Sequence, residues 1–173
     1  VRIQPIASRM NYELGLISGD LQAAIYEANQ ALEINPNSLF ILDAIGWILT
    51  LAGEWKQGPF LAERAITLNP CHRPIAHDAL WVNYIRQKQY HLAYKEACSR
   101  TRHSVLFWDP LIRASTAGPL GRLDEGKRFT EQVMDLKPDF AEEGRKLIGH
   151  FIKFDDIAEK IIEGLDRSGV KIK

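Results

Sequence analysis

The sequence predicts an all-α fold: a right-handed stack of about four antiparallel helix pairs, closed by C-terminal capping helices. Three observations carry this expectation. First, "GDLQAAIYEANQALEINP" from Gly19 to Pro36 is followed 34 residues later by "GEWKQGPFLAERAITLNP" from Gly53 to Pro70, and after another 68 residues by "GRLDEGKRFTEQVMDLKP" from Gly121 to Pro138. Second, 34-residue units starting at Pro5, Leu39, Arg73 and Phe107 align a turn column of Gly19, Gly53, Gln87 and Gly121 with a closing column of Pro36, Pro70, Ser104 and Pro138. Third, mostly small residues recur in the second half of the units, at Ala24, Gly58, Leu92 and Gly126, and at Ala31, Ala65, Ser99 and Val133. A fixed period of this length is the signature of stacked supersecondary units.

Each unit reads as two helices joined by the glycine turn. Gly19 and Pro36 end the two helices of the first unit. In the second, Ser38 is expected to cap "LFILDAIGWILTLA" by offering its hydroxyl oxygen to a first-turn amide, and Gly53 to supply the left-handed residue that ends it. Pro70 then stops the next helix, because it disfavours helical geometry at Asn69 and has no amide hydrogen. Trp55 shares a column with Leu21 and Leu123, which predicts packing between repeats. The third unit departs from the frame: Tyr90, Ala93 and Ala97 fit after a one-residue shift, which predicts a local adjustment between Arg86 and Ser104. In the fourth, Pro119 is expected to end or kink the first helix early. The small columns mark close helix crossings, and since one pair cannot bury its apolar face alone, successive pairs must stack.

The repeats therefore fill residues 1–140 (5–38, 39–72, 73–106 and 107–140), and 141–173 form capping helices and a tail. Asp139 with Glu142, and Asp156 with Glu159, read as capping boxes. Gly169 closes the second capping helix, and "VKIK" is expected to be loose.

Composition bounds the function. With 173 residues, 46% of them hydrophobic, the chain can bury a sizeable core. Lys and Arg number 22, as do Asp and Glu, so no overall field draws in nucleic acid or an anionic membrane. No stretch approaches the roughly 20 apolar residues that span a bilayer, and no signal peptide opens the chain. The pattern is already under way at Val1, so the expectation is a piece of a longer protein. Cys71 and Cys98 are too few for a disulfide framework and fit buried thiols in a reducing, cytoplasmic setting. His77 with Asp78 lacks further ligands at helical spacing, and Cys71 with His72 and His77 lacks a second cysteine, so no metal site is expected. Phosphate-cradling, dinucleotide and nucleophile-elbow motifs do not occur. Neither enzymatic activity nor a cofactor is expected. Arg86, Lys88, Lys95, Arg100 and Arg102 read as a solvated helix face.

The period of 34 with Gly at the turn, Ala in the second helix and Pro at the end resembles the tetratricopeptide repeat, over about residues 5 to 140. Gly46 and Ala114 fill the small position of that family's first-helix signature; Tyr12 and Leu80 do not. In addition, "FWDPLIRA", "GRLDEG", "KPDFAEEGRKLI" and "EKIIEGLDRSG" resemble the C-terminal repeat region of bacterial regulators in which such repeats follow an adenylate cyclase or winged-helix domain. That likeness implies a regulatory appendage.

The tetratricopeptide resemblance implies a solenoid whose first helices line a concave groove, with ligand contacts at the second, fifth, ninth and twelfth positions of each unit. These are Ile6, Arg9, Glu13 and Leu16; Phe40, Asp43, Trp47 and Thr50; Pro74, His77, Trp81 and Tyr84; Trp108, Leu111, Ser115 and Gly118. The candidate partner-binding groove is accordingly Phe40, Asp43, Trp47, Thr50, His77, Asp78, Trp81, Tyr84 and Trp108. Aromatics at helical spacing read equally well as core. The expected function is a non-enzymatic protein-interaction scaffold that takes a peptide segment or helix. The alternative is a structural or oligomerisation module that contacts a missing N-terminal domain of its own. Reading RNA requires a positive groove, and this one carries acids. Relatives that clamp a peptide's terminal carboxylate use Lys, Arg and Asn at these positions, which this chain lacks. The expected partner is a protein or peptide, apolar or aromatic with Lys or Arg; nucleic acid and membrane are not expected, and self-association is compatible with the pattern.

Overall fold

Left-handed residues set the helix boundaries. In the computed structural model, which describes residues 15–69, 74–99 and 106–173 (for Phe40 the backbone alone), all regular structure among the described residues is helical. Residues 15–18 are helical, and α1 (Leu21–Ile34), α2 (Leu39–Leu51), α3 (Gln57–Leu68), α4 (Ile75–Arg86), α5 (Tyr90–Ser99), α6 (Trp108–Ala117), α7 (Leu123–Leu136), α8 (Phe140–Phe151) and α9 (Asp155–Arg167) follow. Ile6, Arg9, Tyr12, Glu13, Pro70, Cys71, His72, Arg73, Arg100, Arg102 and Ser104 lie outside the described residues, as does the side chain of Phe40.

One turn closes four helices. At Gly53 (φ +95°), Glu54 N–H donates to Leu49 O (2.8 Å) and Gly53 N–H to Thr50 O (3.1 Å). This is the Schellman pairing that satisfies the last carbonyls of a helix. It recurs after α6 at Gly121 and after α9 at Gly169. After α4 the left-handed residue is Lys88 (φ +58°), with Gln89 N–H on Tyr84 O and Lys88 N–H on Ile85 O. Lys88 lies one residue past the glycine column, and the buried Ala93 and Ala97 of α5 are displaced by the same single residue. The adjustment expected between Arg86 and Ser104 is thus a one-residue shift already present at the turn. The helices before proline end alike: Asn35, Asn69 and Lys137 leave the helical region with φ of −149°, −136° and −143°. Pro119 likewise falls in the turn that ends α6 at Ala117.

Two compact units divide the chain, Val1–Asn83 and Tyr84–Lys173. In the first, α2 packs on α1 and α3. Apolar on nearly every side, α2 buries Leu42, Ile45, Ile48 and Leu49, as such a helix must. Its neighbours turn small residues toward it: Ala24, Ala28 and Ala31 on α1, and Gly58, Ala62 and Ala65 on α3. A Cβ on Gly46 would lie 2.8 Å from Ala62 N, and one on Gly58 2.5 Å from Thr50 N, so α2 and α3 meet backbone to backbone.

In the second unit α6 packs on α5, α7 and α9. A Cβ on Gly164 of α9 would run into the Ser115 carbonyl of α6. Ser168 Oγ donates to Ala114 O (2.7 Å), and Thr130 Oγ1 of α7 lies 3.1 Å from Ser168 O. Helix α9 therefore covers Ser115 and Gly118, both buried, and Leu111 of the same helix is buried too. Phe140, at the start of α8, is fully buried.

Several local expectations are corrected. Ser38 occupies the N-cap position of α2, and Asp139 that of α8, but neither side chain makes a capping bond. Asp139 is drawn instead to Lys137 Nζ (2.6 Å). Asp156 falls inside the first turn of α9 and pairs with Lys160 (2.7 Å), while Glu159 pairs with Arg145. The carboxylates of both boxes found cations nearer than the free amides. The tail docks: Val170 is buried, Ile172 reaches α8 at Gly144, and Lys173 N–H donates to Ala141 O (2.9 Å). Cys98 is an exposed thiol because it sits on α5 one residue past the inward-facing Ala97. In the column of Trp55, Leu123 is 57% exposed and Trp55 itself half-buried, since this position lies at the start of the second helix or in the turn just before it.

Candidate partner-binding surface

The groove residues of the first unit come from α2 and α4. Asp43 and Thr50 are buried on α2, and Thr50 Oγ1 donates to Gly46 O (2.7 Å), so its hydroxyl is used within its own helix. Trp47, on the same helix, is half-buried. On α4, His77 is buried and Asp78 half-buried, with Asp78 adding its charge to the first turn, where the helix dipole favours an anion. Trp81 is 3% exposed, and its indole Nε1 is buried with no hydrogen-bond partner among the described residues. Of the remaining positions read from the repeat pattern, Leu16 is buried and Pro74 half-buried.

Tyr84 and Trp108 belong to the second unit, and both are half-buried. Trp108 meets Phe107 (4.9 Å between centroids) and takes Phe151 of α8 edge-on (5.4 Å, 84°). Phe107 in turn meets Phe140 at 5.7 Å. Trp108 thus helps fasten α8 to α6, a role invisible to a column-by-column reading because Phe140 and Phe151 lie beyond the repeats.

A polar cluster in the second unit was missed by sequence reasoning. Tyr94 of α5 donates its hydroxyl to Glu125 Oε1 (2.5 Å), and Arg122 Nε donates to Glu125 Oε2 (2.6 Å). The Arg122 guanidinium also lies over the Tyr94 ring at 4.4 Å. Burial, then the bond to Glu125, pushes the Tyr94 hydroxyl well above the ordinary tyrosine range. The hydrogen bonds from Tyr94 and Arg122 hold the Glu125 carboxyl below the usual carboxylate range despite partial burial. Arg122 and Glu125, three apart within "GRLDEG", were the available signal.

Among the described residues no cluster of three or more His, Cys, Asp or Glu is placed to hold a metal ion, and no helix is long and apolar enough to cross a membrane. No family model matches the sequence, and no curated protein matches it. Solved structures of MamA do match. MamA MSR-1 C2 is 18% identical, with 96% of this chain and 95% of that chain covered at a TM-score of 0.61. MamA 41-end from Desulfovibrio magneticus RS-1 is 16% identical, with 97% and 98% covered at 0.64. At such identity the likeness shows the fold: this chain is an all-α stack of antiparallel helix pairs, of the tetratricopeptide-like kind seen in MamA.

Proposed function

We propose that the chain is a non-enzymatic protein-interaction scaffold whose first unit binds an apolar or aromatic segment carrying Lys or Arg. The observation that carries this reading is the Trp81 indole N–H, buried without an acceptor among the described residues. Buried tryptophan N–H groups ordinarily find a partner, and a bound segment's backbone carbonyl would supply one on parting the side chains that cover the indole. Trp47, half-buried in the same repeat column, offers the ring area of a binding hot spot. Asp43 and Asp78 give the site its negative side, acting more on association rate than on affinity. Phe40, Thr50 and His77 belong to the proposed site of the first unit on their repeat positions alone; Tyr84 and Trp108, expected there by the same pattern, lie in the second unit. The alternative function, a module that holds a larger bacterial regulator together, rests on the C-terminal motifs.

The test is capture of partners from a lysate of the source cell by the intact chain and by Trp47→Ala and Trp81→Phe, with circular dichroism to confirm helicity. Each substitution should weaken the captured complex about tenfold, or 1.4 kcal/mol. Trp81→Phe keeps an aromatic ring but removes the N–H together with the five-membered part of the indole, so its unfolding stability is measured beside its binding. Partners retained equally by parent and both variants would place binding elsewhere.

A further inference from the structure

The second helices of the first unit share an exposed apolar pattern. Tyr26 (63% exposed) and Phe60 (60%) occupy one column, 34 residues apart, and Ile34 (55%) and Leu68 (49%) another. Along α1 and along α3 the two residues are eight apart, about 12 Å of helix. Asn29 accepts from Gln57 Nε2 (3.0 Å) and Asn37 from Arg64 Nη2 (2.8 Å). The two bonds advance in the same direction along both segments, so α1 and α3 run in the same sense, and the four apolar side chains take equivalent positions on the two helices. Charge on these helices is lopsided: Glu27, Glu33 and Glu63 stand against Arg64 alone, and α1 has no base. In the second unit, with α5 displaced by one residue, the corresponding positions hold Lys95 and Arg128, so the pattern is not a property of the repeat as such.

We infer that the α1–α3 face is a second interaction surface, and that its occupant is a basic amphipathic helix of another protein. A helix laid along the seam would set apolar residues at i and i+7 or i+8 against Tyr26, Ile34, Phe60 and Leu68, and direct Lys or Arg to Glu27, Glu33 and Glu63. Contiguous exposed apolar surface is the usual mark of such a site, and the acids select the sign of the partner. This surface lies on the second helices, apart from the groove proposed on α2 and α4.

The test uses a designed helical peptide of about 18 residues, five turns, with Leu on one face and Lys on the other, and a matched peptide with Glu for Lys. Fluorescence anisotropy should show the Lys peptide binding and the Glu peptide failing. Phe60→Ala and Tyr26→Ala should each weaken the Lys peptide about tenfold without loss of helicity, as exposed positions permit. The double change Glu27→Lys, Glu33→Lys should reverse the preference between peptides. Equal binding of the two peptides, or Lys-peptide binding unchanged in both aromatic variants, overturns the inference. So does a dimer in sedimentation that Phe60→Asp dissociates, which would assign the face to a second copy of the chain.

Discussion

Lys88 carries the clearest mismatch between residue and conformation. A side chain at φ +58° brings Cβ close to the following carbonyl, a strain glycine avoids at the equivalent turns. Lys88→Gly should raise stability by up to about 1 kcal/mol in urea unfolding, less the backbone entropy glycine forfeits. Tyr94 makes the opposite case. The bond to Glu125 lowers the carboxyl's folded pKa, so its contribution is present above the usual glutamate range and fades as pH falls through the depressed folded value. The raised Tyr94 pKa adds stability that is complete below the usual tyrosine range and lost as pH climbs through the raised one. Tyr94→Phe should therefore cost about 1 kcal/mol at neutral pH and flatten stability against pH on the acid side. An acid limb identical to the parent's would mean that Glu125 draws its shift from Arg122 alone.

At the scale of helices and their junctions, the sequence was most legible where backbones meet. Gly46, Gly58, Ala62 and Ala65 announce the α2–α3 crossing because no larger residue fits there, and the displaced Ala93 and Ala97 gave away the shift that Lys88 completes. Side-chain partners were least legible. An aspartate at a helix start is drawn from the free amides when a cation is nearer, and the short intervals from Lys137 to Asp139 and from Asp156 to Lys160 decided this here. Docking across elements was hidden too: nothing in the column of Ser115 foretells Gly164, 49 residues on. In the groove, the residue types were readable, but burial was not, because Trp47 and Trp81 share a column and differ in exposure. Two measurements follow. Gly46→Ala forces a methyl against the Ala62 backbone and should cost about 1–3 kcal/mol by overpacking, a drop readable in thermal unfolding. Trp55→Ala should cost only about 1–2 kcal/mol, because a half-buried ring forfeits part of what full burial gives; a loss of 4 kcal/mol or more would mean that Trp55 is deeper in the stack than its exposure implies.

For the whole molecule, the question is whether two separately packed cores unfold as one. In helical repeats, stability is close to a sum of unit and nearest-neighbour contributions, so damage in one core need not reach the other at once. Helix α9 gives a local handle on the second core, since Gly164 lies against the Ser115 backbone and Ser168 bonds to Ala114. Gly164→Leu should push α9 from α6 and uncover Leu111 and Ile161, a loss on the order of 3 kcal/mol or more from apolar burial and close packing. Hydrogen exchange should then show protection falling first across α6 to α9, while the amides of α2 and α3, anchored by Leu42, Ile45 and Leu61, keep theirs. Simultaneous loss of protection in α2 and α6 would show instead that the stack folds as one cooperative body, with neighbour coupling stronger than either core alone.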